Sequence, residues 1–184
     1  MLLHEKTYTV EEFWEIARLP ENEGRRLELE NGVIVEMASS SPLNSATAVR
    51  ISYFLTDFNL KCQCGYVVGA DSGFVMSGGN VRQPDAAFVS KKRFPALPDE
   101  FDAAPDIAVE VVSDREDVHI KAQEYLHSGG TFVWAVYAEA KTVYVFRLDE
   151  HDQLISTPFR IDDTLTGGDV LPGFTLPVRD IFPE

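Results

Sequence analysis

Cysteine is nearly absent from the 184-residue sequence: only Cys62 and Cys64 occur, with one residue between them. Such a pair supplies neither a disulfide framework nor the four ligands of a structural zinc site, and a reduced, cytoplasmic setting is expected. Basic charge is also scarce. Lysine and arginine total 16 against 30 acidic residues, a formal net charge of −14, so the field of the whole molecule repels polyanions and any attraction to them must be local. No apolar run approaches the roughly 20 residues needed to cross a bilayer. The opening residues, MLLHEKTYTVEEFWE, lack the apolar core of a signal peptide. The expectation is a soluble, unprocessed chain.

What is present is enough apolar residue, 45% of the chain, to build the core of one domain over residues 1–184. Thr9 followed by Glu12 forms a capping-box pattern, which predicts an amphipathic helix over 10–19 ending at Pro20. RLELENGVIVEM reads as a hairpin about Asn31-Gly32, and a two-residue turn sets Glu28 opposite Val35. Ile51, Phe54, Leu55 and Phe58 predict a helix from Ser41 to about Leu60. GYVVGADSGFVMSGGNVRQPDAAFVS predicts three short strands, PDIAVEVVS a buried one, and DREDVHIKAQEYLHSGG a helix with acids at its start. TFVWAVYA and KTVYVFRLDE predict a strand pair turning at Glu139-Ala140, and the Pro- and Gly-rich tail an extended packed segment. The order implies a mixed α/β domain with one sheet flanked by helices.

Chemistry enters through charges out of place. In PDIAVEVVS, alternation puts Asp106, Ala108, Glu110 and Val112 on one face. A carboxylate in the middle of such a strand must find a partner, neutralise itself or hold a metal. In the following helix Val118, Lys121, Ala122 and Tyr125 form the core-facing stripe, so Lys121 stands where an apolar residue belongs. Two misplaced charges of opposite sign on adjacent elements suggest mutual partners. Asp85 follows Pro84 at the mouth of another strand, able to reach a site at the end of the sheet. Two carboxylates from neighbouring strands suit magnesium, which keeps several waters and needs one or two protein oxygens. A cation there can acidify a water and offset charge on a phosphodiester, and a lysine favours the deprotonated water.

Each residue has a plainer reading. Asp85 can cap a turn after proline, Lys121 can lie along the apolar stripe with its ammonium in water, and Glu28 can be a solvated strand acid. Asp106 shares the face of Glu110 but lies about 13 Å away along an extended strand, at roughly 3.3 Å per residue. His119 and His127 lack metal-ligand spacing and read as surface residues, as does Gln123. Cys62 and Cys64 read as the small residues ending a helix, and LPGF, residues 171–174, as a turn anchored by Phe174. Arg25-Arg26 and Lys91-Lys92-Arg93 each neighbour a candidate acid and permit a basic rim, although solvated loop charge is the commoner use of such clusters.

The ordered set Glu28, Pro84-Asp85, Glu110-Val111-Val112 and Lys121 resembles the PD-(D/E)xK nuclease superfamily. More narrowly, nearly the whole chain, from YTVEEFWEIA to GGDVLPGFTLPVRDIF, is similar to a family of restriction-endonuclease-like proteins catalogued as a domain of unknown function. The resemblance implies a restriction-endonuclease-like core, here with an N-terminal helix and hairpin, and a magnesium-dependent phosphodiesterase acting on DNA. Manganese is the expected substitute. It implies Asp85 and Glu110 as metal ligands, Glu28 as an additional acid near the metal, and a homodimer. The chain departs from the superfamily at Val112, where a lysine commonly stands two residues after the second acid. Lys121 would replace that lysine from the helix. The departure and the acidity keep a second expectation open: a noncatalytic module on the same fold that binds protein or DNA.

Overall fold

In the computed structural model of the protein, which describes residues 6–113 and 118–183, helix α1 (Val10–Ala17) opens on a reciprocal cap. The Thr9 hydroxyl accepts from the Glu12 N–H, and the Glu12 carboxylate accepts from the Thr9 N–H. The hairpin of β1 (Leu27–Glu30) and β2 (Val33–Glu36) has the predicted register, with Glu28 opposite Val35. Its turn needs positive φ at both central residues, and Asn31 and Gly32 supply it at 51° and 79°. Helix α2 (Pro42–Cys62) starts behind the Ser41 cap, with Pro42 in its first turn.

Four strands follow where the sequence predicts three: β3 (Gly65–Gly69), β4 (Phe74–Val75), β5 (Val81–Arg82) and β6 (Ala86–Ser90). The extra strand arises because the Gly78-Gly79 turn folds β4 back onto β5. Then come β7 (Ile107–Val111), α3 (Val118–His127), β8 (Phe132–Tyr137) and β9 (Thr142–Leu148). The acids predicted to open α3, at 114–117, lie outside the described residues. The tail is more regular than predicted. Ahead of it β10 (Leu154–Phe159), a strand not predicted, pairs with β9, and the tail itself, residues 163–184, contains a ribbon of β11 (Thr164–Gly167) and β12 (Leu171–Pro177). LPGF lies within β12 rather than forming a turn, while Phe174 packs on Phe58 and Trp134, at 5.4 and 6.0 Å between ring centres.

Among the described residues the strands form a central six-stranded sheet, β10-β9-β8-β7-β6-β3, a small sheet, β2-β1-β5-β4, and the ribbon. The central sheet is mixed: β7 and β8 are parallel, joined through α3, and their other neighbours are antiparallel. Its two faces have separate cores. On one, Ile51 and Leu55 of α2 pack with Phe88, Val109 and Trp134, and the tail covers the rest. On the other, Val118, Ala122 and Tyr125 of α3 pack with Ala87, Ala108 and Val133. Phe13, Leu27, Leu29 and Val81 tie α1 to the small sheet.

One short link joins the two sheets. β5 and β6 belong to different sheets and are separated only by Gln83, Pro84 and Asp85. Charged residues of the small sheet are thereby delivered against the α3 face of the large one.

Cys62 and Cys64, from which a reduced setting was expected, are bonded to each other. Gln63 between them takes the left-handed conformation, φ 51° and ψ 33°, which turns the chain back at the end of α2.

Candidate functional site

Asp85 and Glu110 meet because the ladder between β6 and β7 brackets them. The Asp85 N–H donates to the Val109 carbonyl at 2.9 Å, and the Asp85 carboxylate accepts from the Val111 N–H at 2.8 Å. Glu110 lies between those two anchor points. Both acids share a strand face with residues of the α3-side core, Ala87 and Val89 on β6, Ala108 and Val112 on β7. Together with Lys121 and Arg26 they line one cavity of about 420 Å³, to which Asn44 and Ser113 also contribute.

Glu110 is 3% exposed and Lys121 6%. The Lys121 ammonium stands 3.7 Å from Glu110 Oε2 and 3.4 Å from Glu28 Oε1. The Tyr125 hydroxyl, one turn further along α3, donates to Glu110 Oε1 at 2.8 Å. Burial, then the charges of Glu110 and Glu28, raise the phenol well above its ordinary value of 10.0, so it remains a donor through neutral pH. The folded protein therefore holds this proton after the unfolded chain has released it. Its contribution to stability is complete below the ordinary phenol value and is lost as the pH climbs towards the raised one. Tyr125→Phe is expected to flatten the alkaline limb of the stability curve measured by urea unfolding, and to cost about 1.5–3 kcal/mol at neutral pH for the hydrogen bond to a charged group.

Glu28 is not the solvated strand acid of the plain reading, being 1% exposed, nor does it line the cavity. Its Oε1 accepts from the Gln83 N–H at 2.9 Å and faces Lys121, and its Oε2 accepts from Arg82 at 3.0 Å. Arg82, 2% exposed, is the centre of a wider network. Its Nε and Nη2 donate to Glu124 at 2.6 and 3.0 Å, and Nη2 also reaches Glu30 at 3.3 Å. Burial opposes the charge on Arg82, but the Glu124 hydrogen bonds and the charges of Glu28 and Glu124 outweigh it and raise the guanidinium above its ordinary value. Asn80 donates to Glu124 at 2.8 Å and closes the network.

Sequence reasoning missed Arg82 and the hydroxyl of Tyr125, while Arg26, named there only as part of a permitted basic rim, lines the cavity. Tyr125 was legible only as an apolar stripe residue. Arg26 donates to Asp85 Oδ1 at 3.2 Å and to the Gln83 carbonyl at 2.9 Å. The other candidates lie apart. Asp106 accepts from the Ser90 N–H and hydroxyl at 2.7 and 3.1 Å and faces Arg93 at 3.8 Å, at the far end of β6 from Asp85. Lys91-Lys92-Arg93 follows that same far end and forms no rim to the cavity. His119, His127 and Gln123 are exposed.

Among the described residues no group of three or more His, Cys, Asp or Glu side chains is arranged to hold a metal. Two carboxylates lining one cavity fit a hard divalent ion that keeps most of its waters.

The family model described as "Uma2: Putative restriction endonuclease" matches residues 10–179. A crystal structure of a putative nuclease belonging to DUF820 from Anabaena variabilis ATCC 29413 superposes with a TM-score of 0.80 at 20% identity, covering 95% of this chain and 97% of that one. At that identity the likeness shows the fold, a restriction-endonuclease-like core. No curated protein matches the chain. No helix among the described residues is long and apolar enough to cross a membrane.

Proposed function

The chain belongs to the Uma2 family of putative restriction endonucleases, and from that premise we propose that it is a metal-dependent nuclease hydrolysing phosphodiester bonds of DNA. The observation that carries this reading is the convergence of Asp85, Glu110 and Lys121 on one cavity. Asp85 and Glu110 would hold the cation. When bound, magnesium supplies Lewis acidity, which acidifies a water and offsets charge on the phosphodiester.

The remaining work falls to the protein's own residues. Lys121 takes the place of the lysine that the superfamily commonly carries where Val112 stands. Its ammonium favours the deprotonated form of a nearby water and attracts the phosphate. Glu28 acts as a positioning residue. It fixes the direction of the Lys121 ammonium, while Arg82 and the Gln83 N–H fix Glu28. Tyr125 fixes the rotation of Glu110, as the outer partners of ligating carboxylates commonly do. The cytoplasm, where magnesium and DNA coexist, is the proposed location.

Incubation with supercoiled plasmid is the test. Nicking or linearisation that requires magnesium or manganese and stops with EDTA is expected, and an intact plasmid under all three conditions would contradict the reading. A noncatalytic module remains the second reading, because Arg26 and Lys121 already offset the charges of Asp85 and Glu110 without a cation. It predicts no magnesium binding in a calorimetric titration at millimolar concentration, where the nuclease reading predicts one site.

A further inference from the structure

The cavity at Asp85 does not end there. A second chamber of about 480 Å³ adjoins it, and the two share Arg26 and Asp85 as well as the run from Met37 to Ser40. Beyond the shared wall the second chamber is lined by Arg25 and by the hydroxyl-bearing residues Ser45 and Ser52 of α2, and Ser39 and Ser40 belong to both. Its one further acid, Glu36, is bound by Arg25 at 2.5 and 3.0 Å. In a chain of net charge −14, a continuous path walled by six serines and by three bases, Arg25, Arg26 and Lys121, that balance its three acids, Glu36, Asp85 and Glu110, is a local break in the repelling field.

Arg26 stands where the two chambers meet. A guanidinium has five donors in a fixed fork. Two of the Arg26 hydrogen bonds go to Asp85 and the Gln83 carbonyl, and the buried Nε has no hydrogen-bond partner among the described residues. Those bonds hold the fork in place and use one hydrogen of each terminal nitrogen; the Nε is closed off from the cavity, so the remaining donor capacity of this lining residue is the second hydrogen of each terminal nitrogen. Arginine and serine are among the groups that bind phosphate oxygens, and contacts made to phosphate carry no base readout.

We infer that Arg26 grips a phosphate of a DNA strand and that the strand runs from the Asp85–Glu110 cavity into the serine-lined chamber. The identity of the polyanion rests on the nuclease reading, but the grip does not require catalysis. Because Arg26 and the serines address only the backbone, the path is independent of sequence.

Fluorescence anisotropy of a labelled single-stranded DNA oligonucleotide, with the full chain in EDTA, tests this apart from cleavage. Arg26→Ala is expected to weaken binding about tenfold and to lower the slope of log affinity against log salt by about 0.7, the loss of one single-strand phosphate contact. Arg26→Lys should keep the slope and bind less tightly than wild type, because a point charge lacks the fork. Ser45 is exposed on α2, so Ser45→Trp fills the second chamber without disturbing the core and should also weaken binding. Wild-type affinity and slope in Arg26→Ala would make Arg26 merely the ion partner of Asp85 and overturn the inference. If Arg26→Ala does not fold, unchanged affinity in Ser45→Trp overturns it equally. A wild type that fails to bind the oligonucleotide at low salt overturns it too. Binding without plasmid cleavage would remove the hydrolytic reading and leave this one standing.

Discussion

Asp85→Ala and Glu110→Ala are each expected to reduce magnesium-dependent DNA cleavage by roughly 10³-fold, the scale on which removing a group that stabilises developing charge acts. The two variants should differ in what else they lose. Asp85 also accepts from the Val111 N–H and pairs with Arg26, so its loss leaves a backbone donor and a guanidinium unsatisfied. Glu110→Ala deprives Tyr125 and Lys121 of the same partner. The isosteric changes Asp85→Asn and Glu110→Gln keep the shape and remove the charge, and they should be as inactive as the alanine variants with smaller losses in melting temperature. A plasmid nicking assay read beside a thermal melt separates these effects. Cleavage within a factor of a few of wild type in both alanine variants contradicts the assignment.

Arg82→Met is expected to produce the largest loss of stability, about 3 kcal/mol, because it takes the hydrogen-bonded counter-ion from Glu28 Oε2 in the interior and leaves Lys121 to offset both Glu28 and Glu110. In a chain of this size that corresponds to roughly 6–12 °C of melting temperature. The double change Arg82→Met with Glu28→Gln should recover part of the loss, since no uncompensated buried charge then remains. It should not recover cleavage, because Lys121 has lost the Glu28 carboxylate that orients it. A double-mutant cycle by urea unfolding, with cleavage read on the same proteins, checks both statements. Additive stability losses would mean that Arg82 and Glu28 do not act as a unit.

The parts of this site that were legible in the sequence are those where a charge breaks an apolar pattern. Glu110 interrupts a buried strand and Lys121 an amphipathic stripe, so each announced that it needed a partner. Glu28 was marked by the Asn31-Gly32 turn, which fixes the register that turns it inwards. Arg82 had no such contrast. Its strand is two residues long, too short to show alternation, and it is followed by the polar Gln83. Tyr125 hid because a tyrosine on a core stripe looks apolar until its hydroxyl finds Glu110.

The strands towards the C-terminal end were not predicted for a related reason. Proline argues against a strand only in the interior of a sheet. Pro158 lies in β10, at the edge of the central sheet, and Pro172 and Pro177 lie in the ribbon, where every strand is an edge. Gly173, at φ 85°, allows β12 a conformation that other residues rarely adopt. The link between β5 and β6 was invisible because nothing local to three residues reveals that the chain changes sheets there. That crossing is what brings Arg82, Gln83 and Asp85 to Glu28 and Glu110.

The central claim is that Asp85 and Glu110 share one divalent ion, and anomalous diffraction from crystals soaked in manganese tests it most directly. A single peak in the cavity lined by Asp85 and Glu110, absent from Asp85→Asn crystals, is the predicted result. A peak elsewhere, or none at manganese concentrations that support cleavage, would contradict it.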